Sequence, residues 1–382
     1  MRLLFLGHSS ALLGAERSMA DIVSRAVLDG HAVTVALPGS GPLVSILESA
    51  GAEVVTLPLR AWMGAWHWVP PIGLARLRQS SLTERAVVDL IRDSDAEVVV
   101  TNTSVLPAGA AAARVVGVPH VWVIRESLRD NPQLRSLIPK RVIARRILDG
   151  ADVLCTVSPY VREQLYDLAG RSHPRAFFVS PNPTAGSTAA HPVPPPRPMT
   201  FVLPGFFSRE KGQHRVVVAA FLARRAGADL RVRLVGRGRR PYTRSLLALR
   251  QILRQDDVVQ VAPWSDDLDG EYARAHFVLS ASRNEAFGRT VVEAFAYGRP
   301  VIGLDRGATS LLLGSGGGIL VSPATVRELG RVMAAAAALP INEYEELRRG
   351  AAGRGDEHRQ GPSQYEAFRD ALAGARLLRS EG

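Results

Sequence analysis

Lysine is nearly missing from this strongly basic chain. Of 47 Lys and Arg residues among 382, only Lys140 and Lys211 are lysine. Two compact ammonium groups therefore stand out against a surface of planar, forked guanidinium groups. Cysteine is scarcer still. Cys155 is alone, which excludes an internal disulfide, and its apolar setting between Asp152 and Val157 reads as core in a reducing compartment. No apolar run approaches the roughly 18 residues that cross a bilayer, so no spanning helix is expected. The first strand pattern begins at Arg2, so no secretory leader is expected either. Acids are outnumbered, and the net charge of +11 asks for an anionic partner. No zinc-finger spacing, RNP-type motif or helix-turn-helix pattern accompanies that charge, so nucleic acid is not expected. Phosphates of a small molecule, or an anionic membrane surface, fit it better. A base-composition bias towards arginine and alanine would give the same charge without any partner.

What is present is alternation. Short β-branched runs near 2–7, 32–37, 53–57, 97–101, 119–124, 152–157 and 176–180 alternate with helical patterns near 15–29, 42–50, 82–93, 107–116, 141–149 and 158–169. Such βαβα order implies a parallel sheet covered on both faces. The segment His191 to Pro198 (HPVPPPRP) reads as a stiff linker. Strand patterns then resume near 199–203, 231–235, 258–261, 277–280 and 300–303. A polar, glycine-rich stretch from Gly350 to Pro362 precedes a last amphipathic helix carrying Tyr365, Phe368, Leu372 and Leu377. The expected organisation is two doubly wound Rossmann-like α/β domains, residues 1–190 and 199–362, facing across a cleft at the carboxyl ends of their strands.

The densest segment is Ala281 to Gly303, with Glu285 and Glu293 eight residues apart. A Phe287-Gly288 turn follows the first acid, and a helix over Thr290 to Tyr297 stops before Gly298 and Pro300. Glu285 is thus placed at a helix N-terminus, where unpaired N–H groups suit a phosphate or sugar hydroxyls. Glu293 falls two turns inside, where it could hold the vicinal hydroxyls of a ribose. An ordinary αβ unit with two solvated acids is the alternative. Upstream, the strand Met199 to Leu203 runs through Gly205 into Lys211-Gly212 and a helix, and an ammonium in that tight loop suits a diphosphate.

Together these segments resemble the retaining glycosyltransferases of family 4, the glycogen- and mannosyl-transferase-like group with the GT-B fold. The shared features are the glycine-led loop ending in Lys211-Gly212, the Glu285-x7-Glu293 stretch, and Gly14-Ala15-Glu16 after the first strand. GHAVTVALP (Gly30 to Pro38) looks like that family's second strand. The resemblance implies an acceptor-side domain over 1–190, a nucleotide-sugar donor domain over 199–362, and a final helix near 363–380 packing back on the first domain. It implies transfer of a sugar from a UDP-, GDP- or ADP-sugar to a glycan, lipid-linked or small-molecule acceptor with retained configuration. Gly14, Gly205, Lys211, Glu285, Phe287, Gly288, Thr290 and Glu293 become donor-binding candidates. Glu285 and Lys211 are the catalytic ones.

Two departures matter. Phe206 stands where an arginine usually follows the loop glycine, so Arg209, Arg237 or Arg239 would have to supply that phosphate contact. Arg125-Glu126 stands near where many members carry a histidine, making Arg125 a third catalytic candidate. His8, Asn102, Glu126 and Trp66 are candidates for the acceptor, and Trp62, Trp66 and Trp68 between arginines suit a membrane interface or an amphipathic acceptor. Asp267 and Asp269 are read as the start of a helix, not a metal pair. No ligand-spaced cluster is found, so neither metal nor cofactor is expected. A cytoplasmic protein touching the inner membrane face peripherally is the expected setting. The remaining alternatives are a non-catalytic nucleotide-sugar-binding partner and a sugar-nucleotide epimerase of the same fold.

Overall fold

The computed structural model describes residues 1–129, 131–179, 198–264 and 267–380. The chain divides into two units, Met1–Asn182 with Pro362–Gly382, and Pro183–Gly361. The linker expected over 191–198 lies, up to residue 197, outside the described residues.

In the first unit β1 (Arg2–Leu6), β2 (Ala32–Leu37), β3 (Glu53–Thr56), β4 (Val98–Thr101), β5 (His120–Ile124), β6 (Val153–Thr156) and β7 (Ala176–Phe178) form one parallel sheet. Its order is β3-β2-β1-β4-β5-β6-β7, and Phe5 pairs with Val35 on one side and Val100 on the other. Between the strands run α1 (Gly14–Leu28), α2 (Pro42–Ser49), α3 (Pro70–Asp93), α4 (Ala108–Val116), α5 (Lys140–Gly150) and α6 (Pro159–Ala169). Side chains alternate across a strand, so a sheet covered on both faces needs apolar residues at every position. Leu3 and Phe5 join the cluster with Ile22, Leu43 and Leu47 of α1 and α2, while Leu4 and Leu6 are equally buried on the other face. There α4 lies so close that a Cβ on Gly109 would sit 2.8 Å from Leu6.

The second unit repeats the plan with β8 (Met199–Pro204), α7 (Gln213–Arg225), β9 (Leu230–Val235), α8 (Arg240–Ile252), β10 (Val259–Ala262), α9 (Leu268–Arg274), β11 (Phe277–Ser280), α10 (Arg289–Ala296), β12 (Val301–Leu304), α11 (Ala308–Gly314), β13 (Gly318–Val321), α12 (Val326–Ala337) and α13 (Ile341–Gln360). Its parallel order is β10-β9-β8-β11-β12-β13. Phe201, Phe277 and Ile302 pack with α7 and α12, and Val202, Val278 and Val301 pack with α9, α10 and α13. The order reverses beside the first strand of each sheet, which puts the loops after β1 and β4, and after β8 and β11, at a switch point where ligands gather in such sheets.

The closing helix, α14 (Gln364–Ser380), belongs to the first unit. Phe368 lies 5.7 Å from Phe5, and Tyr365, Ala371, Leu372 and Ala375 complete the same core.

Three expectations are corrected. The stretch from Gly350 is helical up to Gln360, and within it Gly355 serves close packing: a Cβ there would lie 2.3 Å from the Phe295 carbonyl oxygen. Arg348–Glu345 and Arg359–Asp356 pairs support that helix from outside. Helix α3 starts at Pro70 instead of near 82, with the prolines at its first positions, where a missing N–H costs nothing. Strand β13 was not anticipated, since two of its four neighbours in sequence are glycine.

Candidate functional site

In the second unit, five glycines shape the loops at the strand ends. Gly212 caps α7 in the left-handed region (φ 77), and a Cβ there would lie 2.2 Å from the Ala281 carbonyl oxygen. Gly288 caps α10 at φ 92, and Gly307 at φ 61 lets the β12–α11 turn touch the Glu285 backbone, whose carbonyl accepts the Ala308 N–H at 2.8 Å. Gly205 (φ 138) leaves β8, and a Cβ on Gly236 would run into its carbonyl at 1.9 Å. At Gly212 and Gly307 positive φ and backbone contact coincide, a combination that only glycine tolerates.

These turns bring Lys211 and Glu285 together from 74 residues apart: Nζ donates to Oε2 at 2.8 Å. The Ser282 hydroxyl and the Gly288 backbone N–H reach the same carboxylate. Burial alone would push the Glu285 carboxyl up. The Lys211 charge and these three donors outweigh it and hold the group below its ordinary value. Phe287 and Thr290 flank it, half-buried, in the turn and first turn of α10.

Glu293 sits deeper in α10 and is 8% exposed. Both its oxygens are engaged, by Arg289 Nε at 2.8 Å and by the Tyr272 hydroxyl at 2.8 Å. Tyr272 stacks on Tyr297 with ring centroids 4.9 Å apart, and burial with the adjacent carboxylate raises the Tyr272 hydroxyl well above its usual range. Asp267 accepts from the Gly270 N–H at 2.8 Å, so that acid does start a helix. Among the described residues no group of three His, Cys, Asp or Glu side chains is placed to hold a metal.

Sequence reasoning missed a set of cations. Arg215, in the first turn of α7, is buried, and desolvation with the charges of Arg283 and Arg306 pulls its guanidinium down. His214 beside it is lowered by burial, then by Arg215, Arg209 and Arg283. Arg215, Arg283 and Arg306 thus gather from the ends of three separate loops, on the same strand-end side as Lys211. Phe206, where an arginine was expected, is 38% exposed, whereas its neighbour Phe207 is core. No short-range signal links positions 215, 283 and 306; only the topology brings them together.

In the first unit Gly14 opens α1, exposed, with nothing within 4 Å of a Cβ. The carboxylate of Glu16 takes up backbone N–H groups of Leu13 and of Glu16 itself at that helix start. Glu16, in that first turn, is buried. Desolvation raises its carboxyl, against the pull of His8, whose Nε2 lies 3.8 Å away. His8 also lines an open cavity of about 480 Å³ with Ser9, Ser10, Gly39 and Ser40.

Of the remaining first-unit candidates, Arg125 and Asn102 turn inward. Arg125 is 7% exposed; its Nε donates to Asn102 Oδ1 at 2.8 Å and its Nη1 to Ser18 Oγ at 2.7 Å. Ser18 in turn donates to Gln364 of α14, so this guanidinium helps dock the last helix. Burial lowers Arg125 to about 10, opposed by Glu126, Cys155 and Glu16, and it stays charged at neutral pH. The side-chain oxygen of Asn102, an acceptor candidate from the sequence, accepts from Arg125. Glu126 accepts from the Thr103 hydroxyl and the Ser104 N–H, closing the loop after β4. Trp62 is core, stacked 6.2 Å from Trp122, while Trp66 is 67% exposed. Cys155 is fully buried, its thiol pushed up to about 12 by desolvation.

Two consecutive parallel α/β units with glycine-shaped loops at the switch point of each sheet define the class: this is the GT-B fold. The family model for "Glycosyl transferase 4-like domain" matches residues 14–182, and that for "Glycosyl transferases group 1" matches residues 198–338. The two matches cover about four fifths of the chain, which belongs to the glycosyltransferases of GT-B fold. Similar solved structures include Anabaena HepE in complex with UDP (19% identity, TM-score 0.71, all of both chains). A glycosyltransferase from Rickettsia africae (17%, TM-score 0.76, 100% of this chain and 99% of that) and the lipopolysaccharide outer core galactosyltransferase WaaB (16%, TM-score 0.68, 97% and 99%) are others. No curated protein matches the sequence.

Proposed function

We propose that the second unit, through the 199–362 segment, binds a nucleotide-sugar and that the protein transfers the sugar with retained configuration to a glycan, lipid-linked or small-molecule acceptor handled by the first unit. The observation that carries this reading is the Lys211–Glu285 pair set at the N-terminus of α10. HepE was solved with UDP and with UDP-glucose, which supports a nucleoside diphosphate as the donor's leaving part.

In this reading Lys211 lies against the diphosphate, with Arg215, Arg283 and Arg306 supplying the positive charge that Phe206 does not. The Gly205 and Gly288 turns and Thr290 present backbone and hydroxyl groups to the phosphates, and Glu293 takes the ribose once Arg289 yields. Glu285, kept ionised by its donors, accepts from the donor-sugar hydroxyls beside Phe287. The anomeric carbon–oxygen bond to phosphate breaks and a bond to the acceptor oxygen forms on the same face. The acceptor proton passes to the departing phosphate oxygen. Developing charge on the diphosphate is met by fixed cations and helix N-termini without a metal. In the first unit His8 and Glu16, beside the 480 Å³ cavity, are the groups best placed to receive the acceptor. Arg125 acts there as a positioning residue. The setting proposed is the cytoplasm.

The test is a thermal-shift series with UDP, GDP and ADP, with and without EDTA, followed by NMR of the transfer product. Stabilisation by one nucleotide that EDTA leaves intact, and an axial donor linkage retained in the product, is the expected result. Absence of any nucleotide shift refutes the donor reading, and an inverted linkage refutes retention.

A further inference from the structure

Two stretches of the first unit carry basic residues and no acid. From Leu57 to Thr83 there are three arginines, and from Asn131 to Leu148 four arginines and Lys140, with no Asp or Glu in either. In a chain that is 22% charged, such segregation gives these stretches charge of one sign, bounded by Glu84 and by Asp149, which Arg171 engages.

The fold sews these stretches together. Gly64 N–H donates to the Arg135 carbonyl at 2.9 Å, and Ser136 Oγ donates to the Trp62 carbonyl at 2.7 Å. Leu137 packs on Gly73 so closely that a Cβ there would lie 2.6 Å from it. The Arg135 guanidinium stands 5.6 Å over the Trp68 ring. At this seam Trp66, Trp68 (47%), Ile72 and Leu137 are all exposed. Scattered apolar surface is ordinary, but rings and aliphatic chains gathered beside one-signed charge are not. Helix α5 continues the pattern: Ile143, Ala144, Ile147 and Leu148 face the core, while Arg141, Val142 and Arg146 are exposed. Indole rings with arginines around them match the boundary between lipid headgroups and acyl chains. No described helix is long and apolar enough to span a bilayer, so such a surface would lie on the membrane.

We infer that this face, centred on Trp66, Trp68 and Leu137 and rimmed by Arg135, Arg141 and Arg146, docks onto an anionic lipid bilayer. The inference does not depend on the donor reading, which concerns the other unit. The rings enter the headgroup layer, and the arginines meet lipid phosphates, each worth about fivefold in partitioning near an anionic surface.

The experiment is co-sedimentation of the full chain with vesicles of phosphatidylcholine alone and of phosphatidylcholine mixed with phosphatidylglycerol. Binding to the mixed vesicles only, weakened by salt and accompanied by a blue shift of tryptophan fluorescence, is expected. The triple variant Trp68→Ala, Arg141→Glu, Arg146→Glu should bind at least about thirtyfold more weakly, from the two lost charges alone. A control with Arg240→Glu and Arg244→Glu on α8 should bind like the parent. Circular dichroism and the UDP thermal shift of each variant report folding and the second unit separately. Equal binding to both vesicle types, no binding, or an undiminished triple variant overturns the inference. So does a fluorescence shift given by soluble oligosaccharide and not by vesicles, which would make this face an acceptor platform.

Discussion

Replacing Lys211 by alanine separates a binding role from a structural one. Its Nζ is 2.8 Å from Glu285 Oε2, but the lysine side chain is 39% exposed, so the pair contributes only about 0–1 kcal/mol to stability. The Glu285 carboxylate keeps two of its three donors, Ser282 and Gly288, and should stay in place. The unliganded melting temperature is therefore expected to fall by no more than about 4 °C. A charge-assisted hydrogen bond to phosphate is worth about 1.5–3 kcal/mol, so the dissociation constant for UDP should rise roughly ten- to 150-fold. If the ammonium also stabilises the departing diphosphate, turnover should drop by about 10²–10³. Lys211→Arg should recover part of the affinity, because charge survives while the compact geometry does not. Isothermal titration with UDP and single-turnover assays on folded protein give both quantities. A change of less than about threefold in each would refute the assignment of Lys211 to the diphosphate.

Three further outcomes follow from named geometry. Glu293→Gln keeps a partner for Tyr272 but loses the charge facing Arg289; UDP affinity should fall about tenfold with little change in melting, and an unchanged titration would remove Glu293 from the site. Gly212→Ala forces an L-residue to φ 77 with its Cβ 2.2 Å from a backbone oxygen, which should cost about 2–5 kcal/mol and lower the melting temperature by roughly 5–15 °C. Gly14→Ala, with ordinary φ and open space around it, should melt like the parent, and calorimetry of the two checks the contrast. His120 is fully buried between Thr101 and the Gly150 carbonyl, and desolvation lowers it to about 4. Between that value and its ordinary 6.5 the unfolded chain holds the extra proton, so stability is complete above pH 6.5 and falls as pH drops towards 4. The loss amounts to about 3 kcal/mol. Urea titrations at pH 7.5 and 4.5 should show this difference shrinking in His120→Gln; an equal acid loss in both proteins would exclude His120 as its source.

Much of this was readable because parallel strands buried on both faces leave continuous apolar runs, and strands such as Leu3–Leu6 and Val98–Val100 are written that way. The turns around Gly212 and Gly288 were legible for a related reason, since positive φ beside a helix start leaves glycine in the sequence. Glycine was less informative elsewhere: Gly355 of α13 serves close helix packing, and the glycine-rich stretch from Gly350 carried no helical reading in the sequence. Segregated cations were harder to see. Arg215, Arg283 and Arg306 are single letters in a chain full of arginine, and only the switch in strand order collects them. The inward turn of Arg125 was equally hidden, because its partners Ser18, Asn102 and (through Ser18) Gln364 are spread over nearly the whole length.

The docking of α14 on Phe5 also sets an order of events during synthesis. The first sheet is made early, yet its hydrophobic face lacks Phe368 and Leu372 until the ribosome has passed the entire second unit, from Pro183 to Gly361. At the usual pace of about 5–20 residues per second, that interval lasts roughly ten to forty seconds. During it the nascent chain carries an open apolar surface, while the second unit, whose segments are contiguous, can finish folding before the first is complete.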